Sequence, residues 1–312
     1  MDMKAYLKGD IAMRVITAAM MCLLSSLAFS QPPDETEQLE KLEMSLKLLD
    51  AIGDSANSQS FSVKELLDAG ADPNFSPFGS FYPLQSAVLD QNMTAFQSLL
   101  DAGARLDVRD EENDLTLFEE FLIRGDEYSS AVLKSSTGPI DGEISNAFGP
   151  IAFSVVRLND IEAISNFFQR VENLDPNEKS VLGRNLLMEI VISGRVDVLQ
   201  SFVSEIDGID VTETDMLGDD AVRLAIKARN SQVLKILLTE LSGWNLNQAD
   251  MMGDTPLHIA VTSGDVETVS ILLKYGKGII PQHRNRMGKS ARDMAPSDMR
   301  KILDQYVDPS SY

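Results

Sequence analysis

His258 and His283, the only two histidines of this 312-residue chain, are its best candidates for acid–base or metal chemistry. His258 has the richer setting. It lies in Gly253-Asp254-Thr255-Pro256-Leu257-His258-Ile259-Ala260, with a carboxylate and a hydroxyl close by in sequence. An imidazole beside such groups has the ingredients of a general base. A zinc site is not expected, because the histidines are well separated and the single cysteine, Cys22, lies in an apolar run near the N-terminus. The sequence has no Gly-x-Ser-x-Gly elbow, no Gly-x-x-x-x-Gly-Lys phosphate loop and no His-Glu-x-x-His pair. Carboxylates are plentiful, 48 Asp and Glu against 27 Lys and Arg, so a glycosidase-type pair can be drawn almost anywhere and none stands out. The acidic run from Asp107 to Asp114 has the charge of a calcium loop but no glycine at its sixth position. It reads as a solvated loop tip with weak cation affinity at most. No catalytic, cofactor or metal residue is assigned.

The elements that place His258 belong to a repeat. Gly253 recurs at 35-residue intervals as Gly183, Gly218 and Gly288, each preceded by an aliphatic residue or methionine. Asn173, Gly208, Gly243 and Gly278 share a second phase. Phe167-Phe168, Phe202-Val203, Leu237-Leu238 and Leu272-Leu273 share a third. Upstream, Leu66 to Ala71 and Leu99 to Ala104 carry one ending twice. With Ala260 as marker, units fall at Ala51, Ala87, Glu120, Val155, Ile190, Ala225, Ala260 and Ala295. A fixed period of this length is the mark of stacked repeats.

Within a unit, Thr255 and Pro256 suit the start of a helix, by capping and by a preset φ. Leu257, Ile259, Ala260 and Val261 give it an apolar surface. Gly264 turns the chain. Val266, Val269, Leu272 and Leu273 have the spacing of a second amphipathic helix. Gly276 is expected to end that helix in the left-handed conformation.

The stretch from Gly253 to Gly276 resembles the ankyrin repeat family, and the resemblance extends over residues 38–312. It implies an all-α ankyrin-repeat solenoid of about eight helix-turn-helix units, with the 35-residue period in the C-terminal half. The residues beyond the family's usual period of about 33 fall in the loop after the second helix. The first and third units look irregular, and a shortened cap begins at about residue 285. Lys134 to Pro150, rich in Gly, Ser and Pro, is expected to kink or move. The resemblance makes Gly183, Gly218, Gly253, Thr255, Pro256, His258 and Gly288 structural, with His258 a hydrogen-bonding strut between neighbouring loops. Trp244 is expected to be pinned to the stack.

The N-terminus differs from the rest. Lys4, Lys8 and Arg14 precede an apolar run from Val15 to Phe29 that ends in small residues. Residues 1–30 read as a secretory signal peptide, with Met13 an alternative start, and residues 31–37 as a disordered linker. The expected location is therefore outside the cytoplasm, periplasmic first and extracellular second. Residues 1–30 hold three cations against Asp2 and Asp10, so the chain's −21 becomes −22 without them. That acidity disfavours nucleic acid and, after cleavage, membrane, and favours a basic protein.

The resemblance implies binding through loop tips and exposed first-helix positions. The candidates are Asp107, Asp110, Glu111, Glu112, Glu178, Glu213, Asp215, Asp219, Asp220, Gln248 and His283, with Asp175 and Asp210 beside them. The expectation is a monomeric, non-catalytic interaction module that restrains a basic exported enzyme such as a cell-wall hydrolase. The alternatives are a periplasmic scaffold or stress-defence accessory without inhibition, a secreted effector, and remotely a hydrolase with a carboxylate pair.

Overall fold

The structure, a computed structural model, describes residues 33–53, 62–76, 81–109, 115–143, 145–146 and 149–306. The expected signal peptide and three of the acidic tip residues, Asp110, Glu111 and Glu112, lie outside them. The described residues form sixteen helices, and the chain divides into two compact units, Met1–Arg124 and Gly125–Tyr312. No described helix is long and apolar enough to cross a membrane.

The first unit contains α1 (Pro33–Gly53), α2 (Val63–Asp68), α3 (Pro83–Leu89), α4 (Met93–Asp101) and α5 (Leu117–Arg124). Helix α1 starts inside the segment expected to be disordered. Proline is tolerated at a first helical position. Ser62 caps α2 in a reciprocal box: its hydroxyl accepts from Glu65 N at 3.2 Å, and Glu65 accepts from Ser62 N at 2.9 Å. Leu46, Ile52, Leu66, Leu84, Leu99 and Phe96 fill the core, with Phe96 edge-on to Phe121 at 5.2 Å. Glu120, which replaces the repeat's small residue, accepts a hydrogen bond from Gln85 Nε2 at 3.0 Å.

The second unit contains α6 (Glu127–Ser135), α7 (Ile151–Val155), α8 (Ile161–Arg170), α9 (Leu186–Ser193), α10 (Val196–Glu205), α11 (Ala221–Lys227), α12 (Ser231–Glu240), α13 (Pro256–Ser263), α14 (Val266–Tyr275), α15 (Ala291–Met294) and α16 (Ser297–Gln305). The even members from α6 to α16 pack in series, as do the odd members from α7 to α15. Two layers of helices thus share one continuous core. Ile164, Phe167, Leu199, Phe202, Leu237 and Leu272 are fully buried from one layer, and Ile190, Ala225 and Ala260 from the other.

The segment expected to kink or move is pinned where it is described. Strand β1 (Ile140–Asp141) pairs parallel with β4 (Val171–Glu172), and β2 (Ser145–Asn146) pairs antiparallel with β3 (Gly149–Pro150). Arg170 donates to the carbonyls of Leu133, Ser136 and Gly138 at 2.6–3.0 Å, closing the C-terminal end of α6. Gly142 is needed there, because a Cβ would stand 2.7 Å from the Leu174 backbone.

Gly276 ends α14, but not by handedness. Its φ is −71°, and a Cβ would meet the Leu272 carbonyl oxygen at 2.4 Å and the Leu246 and Ile279 side chains at 2.7 Å. Glycine is required by close packing. Gly264, by contrast, is left-handed at φ +75° with open space around it. The two positions should therefore respond differently in urea unfolding. Gly264→Ala is expected to lose about 1 kcal/mol and Gly264→Asn less, since Asn tolerates the left-handed region. Gly276→Ala is expected to lose about 2–3 kcal/mol, with Asn no better, because the fault is overpacking.

Candidate protein-binding surface

Between each second helix and the next first helix the chain of the second unit makes a turn of fixed design. An anchor residue, Ser180, Asp215, Asp250 or Asn285, donates its N–H to the carbonyl four residues on at 2.8–3.0 Å. Three residues after the anchor comes Gly183, Gly218, Gly253 or Gly288, at φ between +70° and +79°. That left-handed conformation is cheap only for glycine. Where the anchor is Asp or Asn, its Oδ1 also accepts from the amides two and four residues on. The backbone of the turn is thus satisfied internally, and the two residues between anchor and glycine are left facing outward.

Those outward residues are Val181-Leu182, Met216-Leu217, Met251-Met252 and Arg286-Met287. Met216, Leu217 and Met251 are exposed by 76 %, 76 % and 80 %. Neighbouring tips touch. Met216 N reaches the Leu182 carbonyl at 3.4 Å, Arg286 N reaches the Met252 carbonyl at 3.1 Å, and Arg223 bridges the middle gap to the Gln248 carbonyl. The result is an apolar row across four successive tips. An exposed apolar row of this length is the usual mark of a docking surface. The residues that build it are legible in the sequence, where an aliphatic or methionine precedes each phase glycine. Read only as a mark of register, they give no hint of exposure.

The stack also holds the tips rigid through residues whose role the sequence did not disclose. Asn177 accepts from Asp210 N at 2.7 Å and donates to the Gly208 carbonyl at 2.9 Å. Asn247, two periods later, makes the same bracket with Ile280 N at 2.8 Å and the Gly278 carbonyl at 2.6 Å. Their 70-residue separation was the available signal. Trp244 Nε1 donates to the Leu237 carbonyl at 3.0 Å.

His258 is wholly enclosed. Thr255 N–H donates to its Nδ1 at 3.2 Å, so Nδ1 is the acceptor and Nε2–H donates to the Lys289 carbonyl in the next tip at 3.1 Å. Both nitrogens are committed to structure, which leaves neither for general-base work. Thr255 and Pro256 beside it are buried at the start of α13. At the phase of His258 the preceding unit has Arg223, 1 % exposed, which donates to the Gly218 and Gln248 carbonyls. His283 is half-buried, its ring 6.1 Å from that of His258.

Three of the expected tip carboxylates prove to be buried. Asp215 is the anchor of its turn, with a side chain 2 % exposed that faces Arg184 at 3.5 Å. Asp219 receives Lys227 Nζ at 2.5 Å and 2.6 Å. Asp220 caps α11 by accepting from Arg223 N at 2.7 Å, and burial pushes its carboxyl above the ordinary range. These residues are short because the turn needs acceptors beside its own amides, and a carboxylate so used points inward.

The other acids remain outside. Glu178, Asp175 and Asp210 are exposed, while Glu213 is half-buried and paired with Lys179. The Thr212 hydroxyl and amide hold Asp210 below its usual range, keeping it ionised. In the first unit Asp107 is exposed, and the Arg105 guanidinium, 2.9 Å away, lowers its carboxyl. Gln248 also has an exposed side chain. Among the described residues no cluster of three or more His, Cys, Asp or Glu could hold a metal.

The comparisons agree with this geometry. Residues 187–285 match the family model for ankyrin repeats, in three copies. No curated protein matches the chain. Residues 187–285 are therefore ankyrin repeats, the described residues are all-α as such a solenoid requires, and the repeats mark a protein–protein interaction module.

Two measurements check the placement of these side chains. Asp215→Ala should lower stability by about 2 kcal/mol in urea unfolding, since it leaves the Leu217 and Asp219 amides without their acceptor, whereas Asp107→Ala should change it by less than about 0.5 kcal/mol. Mild peroxide followed by peptide mass spectrometry should convert Met216, Met251 and Met287 to sulfoxide first, and the buried Met188 and Met299 last.

Proposed function

We propose that this protein is exported and non-catalytic, and that it binds and restrains a basic exported enzyme, of which a cell-wall hydrolase is the leading class. The observation that carries the reading is the rigid apolar row from Val181 to Met287 with exposed acids at its first two tips. Rigid turns lose little entropy when a partner docks. The acids speed the approach of a basic partner, and salt slows it. The apolar residues supply the area that excludes water. A partner seated on a row of this kind has its own cleft covered, and that is how restraint would arise.

The test is direct. The full chain is immobilised and exposed to an envelope extract of the producing cell at low salt. Bound protein is eluted with salt, identified, and assayed as an enzyme with and without added chain. A basic hydrolase whose turnover falls as the chain is added supports the reading. Met216→Asp and Asp210→Lys should each weaken its binding about tenfold or more. Recovery of no basic protein, or full turnover of every recovered enzyme under saturating chain, rejects it.

A further inference from the structure

The charges beside the apolar row change sign from one end to the other. At the first tip Glu172, Asp175 and Glu178 are exposed, while Lys179 is paired with Glu213 of the second tip. The third tip, Leu241 to Asp254, has no lysine or arginine, and its two aspartates are half-buried. At the fourth tip, Lys277, Arg286 and Lys289 are exposed, Arg284 is paired with Asp293 at 3.0 Å, and the segment from Gly276 to Ser290 has no acid.

A row that is acidic at one end, apolar in the middle and basic at the other is complementary to itself when turned end for end. We propose that the row is the interface of a two-fold symmetric dimer of this chain, in place of the monomer expected from the sequence. The axis passes between the second and third tips. Met216 and Leu217 of one copy then lie on Met251 and Met252 of the other, and the acidic first tip of each copy faces the basic fourth tip of its mate. A two-fold interface requires this: each contact is made twice, and one patch must serve both sides. The arrangement has the anatomy of a protein interface, an apolar centre with charged pairs at the rim. The chain's overall −21 opposes bringing two copies together, so the dimer is a reversible one. A basic partner of the kind proposed above would use the same row and compete with the second copy. The dimer itself needs no partner, and its failure would leave that reading standing.

The experiment is sedimentation equilibrium on the purified full chain at low ionic strength, from micromolar to hundreds of micromolar. The expected result is a mass that rises with concentration from 34.3 kDa towards twice that value. Met251→Asp, at an exposed position that leaves the circular dichroism unchanged, should lower the association constant by at least about tenfold. Arg286→Glu should lower it about tenfold through two repulsive contacts, and adding Glu178→Lys to that variant should restore most of the loss. A single species of 34.3 kDa at every concentration overturns the proposal. So does a dimer that tolerates Met251→Asp, or an Arg286→Glu loss that Glu178→Lys does not relieve.

Discussion

Helices as short as those from α8 to α14, seven to ten residues each, are not stable alone in water. A pair of them has an apolar face and nothing of its own to cover it. In the second unit that need is met by the neighbouring pair, and the neighbour's need by the next, so stability is a sum over units and interfaces. Ile190, Ala225 and Ala260 are buried at one phase because three successive pairs meet there in the same way. The core dictates the period, and the period dictates where every loop emerges.

Once the loops emerge side by side, their polar groups face a second constraint. A tight turn beside a helix start has several amides without helical partners, and each must be satisfied. The repeat solves this with short acceptors: Asp215, Asp250 and Asn285 within the turns, Asn177 and Asn247 between them. Different chemistry serves one task at one phase, since Arg223 and His258 both reach a carbonyl of the following tip. Most of what looked reactive in the linear sequence is used in this way. A turn whose backbone is internally satisfied can in turn display apolar side chains in water without losing its shape, and Met216, Leu217, Met251 and Met252 occupy those display positions.

The two environments of the surface acids follow from the same geometry. A carboxylate that serves as anchor or cap, as Asp215 and Asp220 do, is drawn inward and loses water. One that flanks the turn, as Asp175 and Glu178 do, keeps it. Position within the turn separates the two groups, and neither charge nor local composition does.

The sequence by itself determined the repeat, its 35-residue register and the identity of the family. Those depend on residues whose requirement is local and recurs: glycine for a left-handed turn, a small or apolar residue on a helix face. It also marked Thr255 and Pro256 at a helix start. Tertiary structure alone decided which of the tip residues face solvent. Asp215 and Asp175 are both aspartates in the loop between successive helix pairs, and only stacking brings Arg184 to the first and leaves water at the second. It decided, too, that Gly276 serves packing, because Leu246 and Ile279 approach it from other parts of the chain. Local conformation is written in short spacings. Exposure is a property of what the neighbouring unit covers, and no single unit carries it.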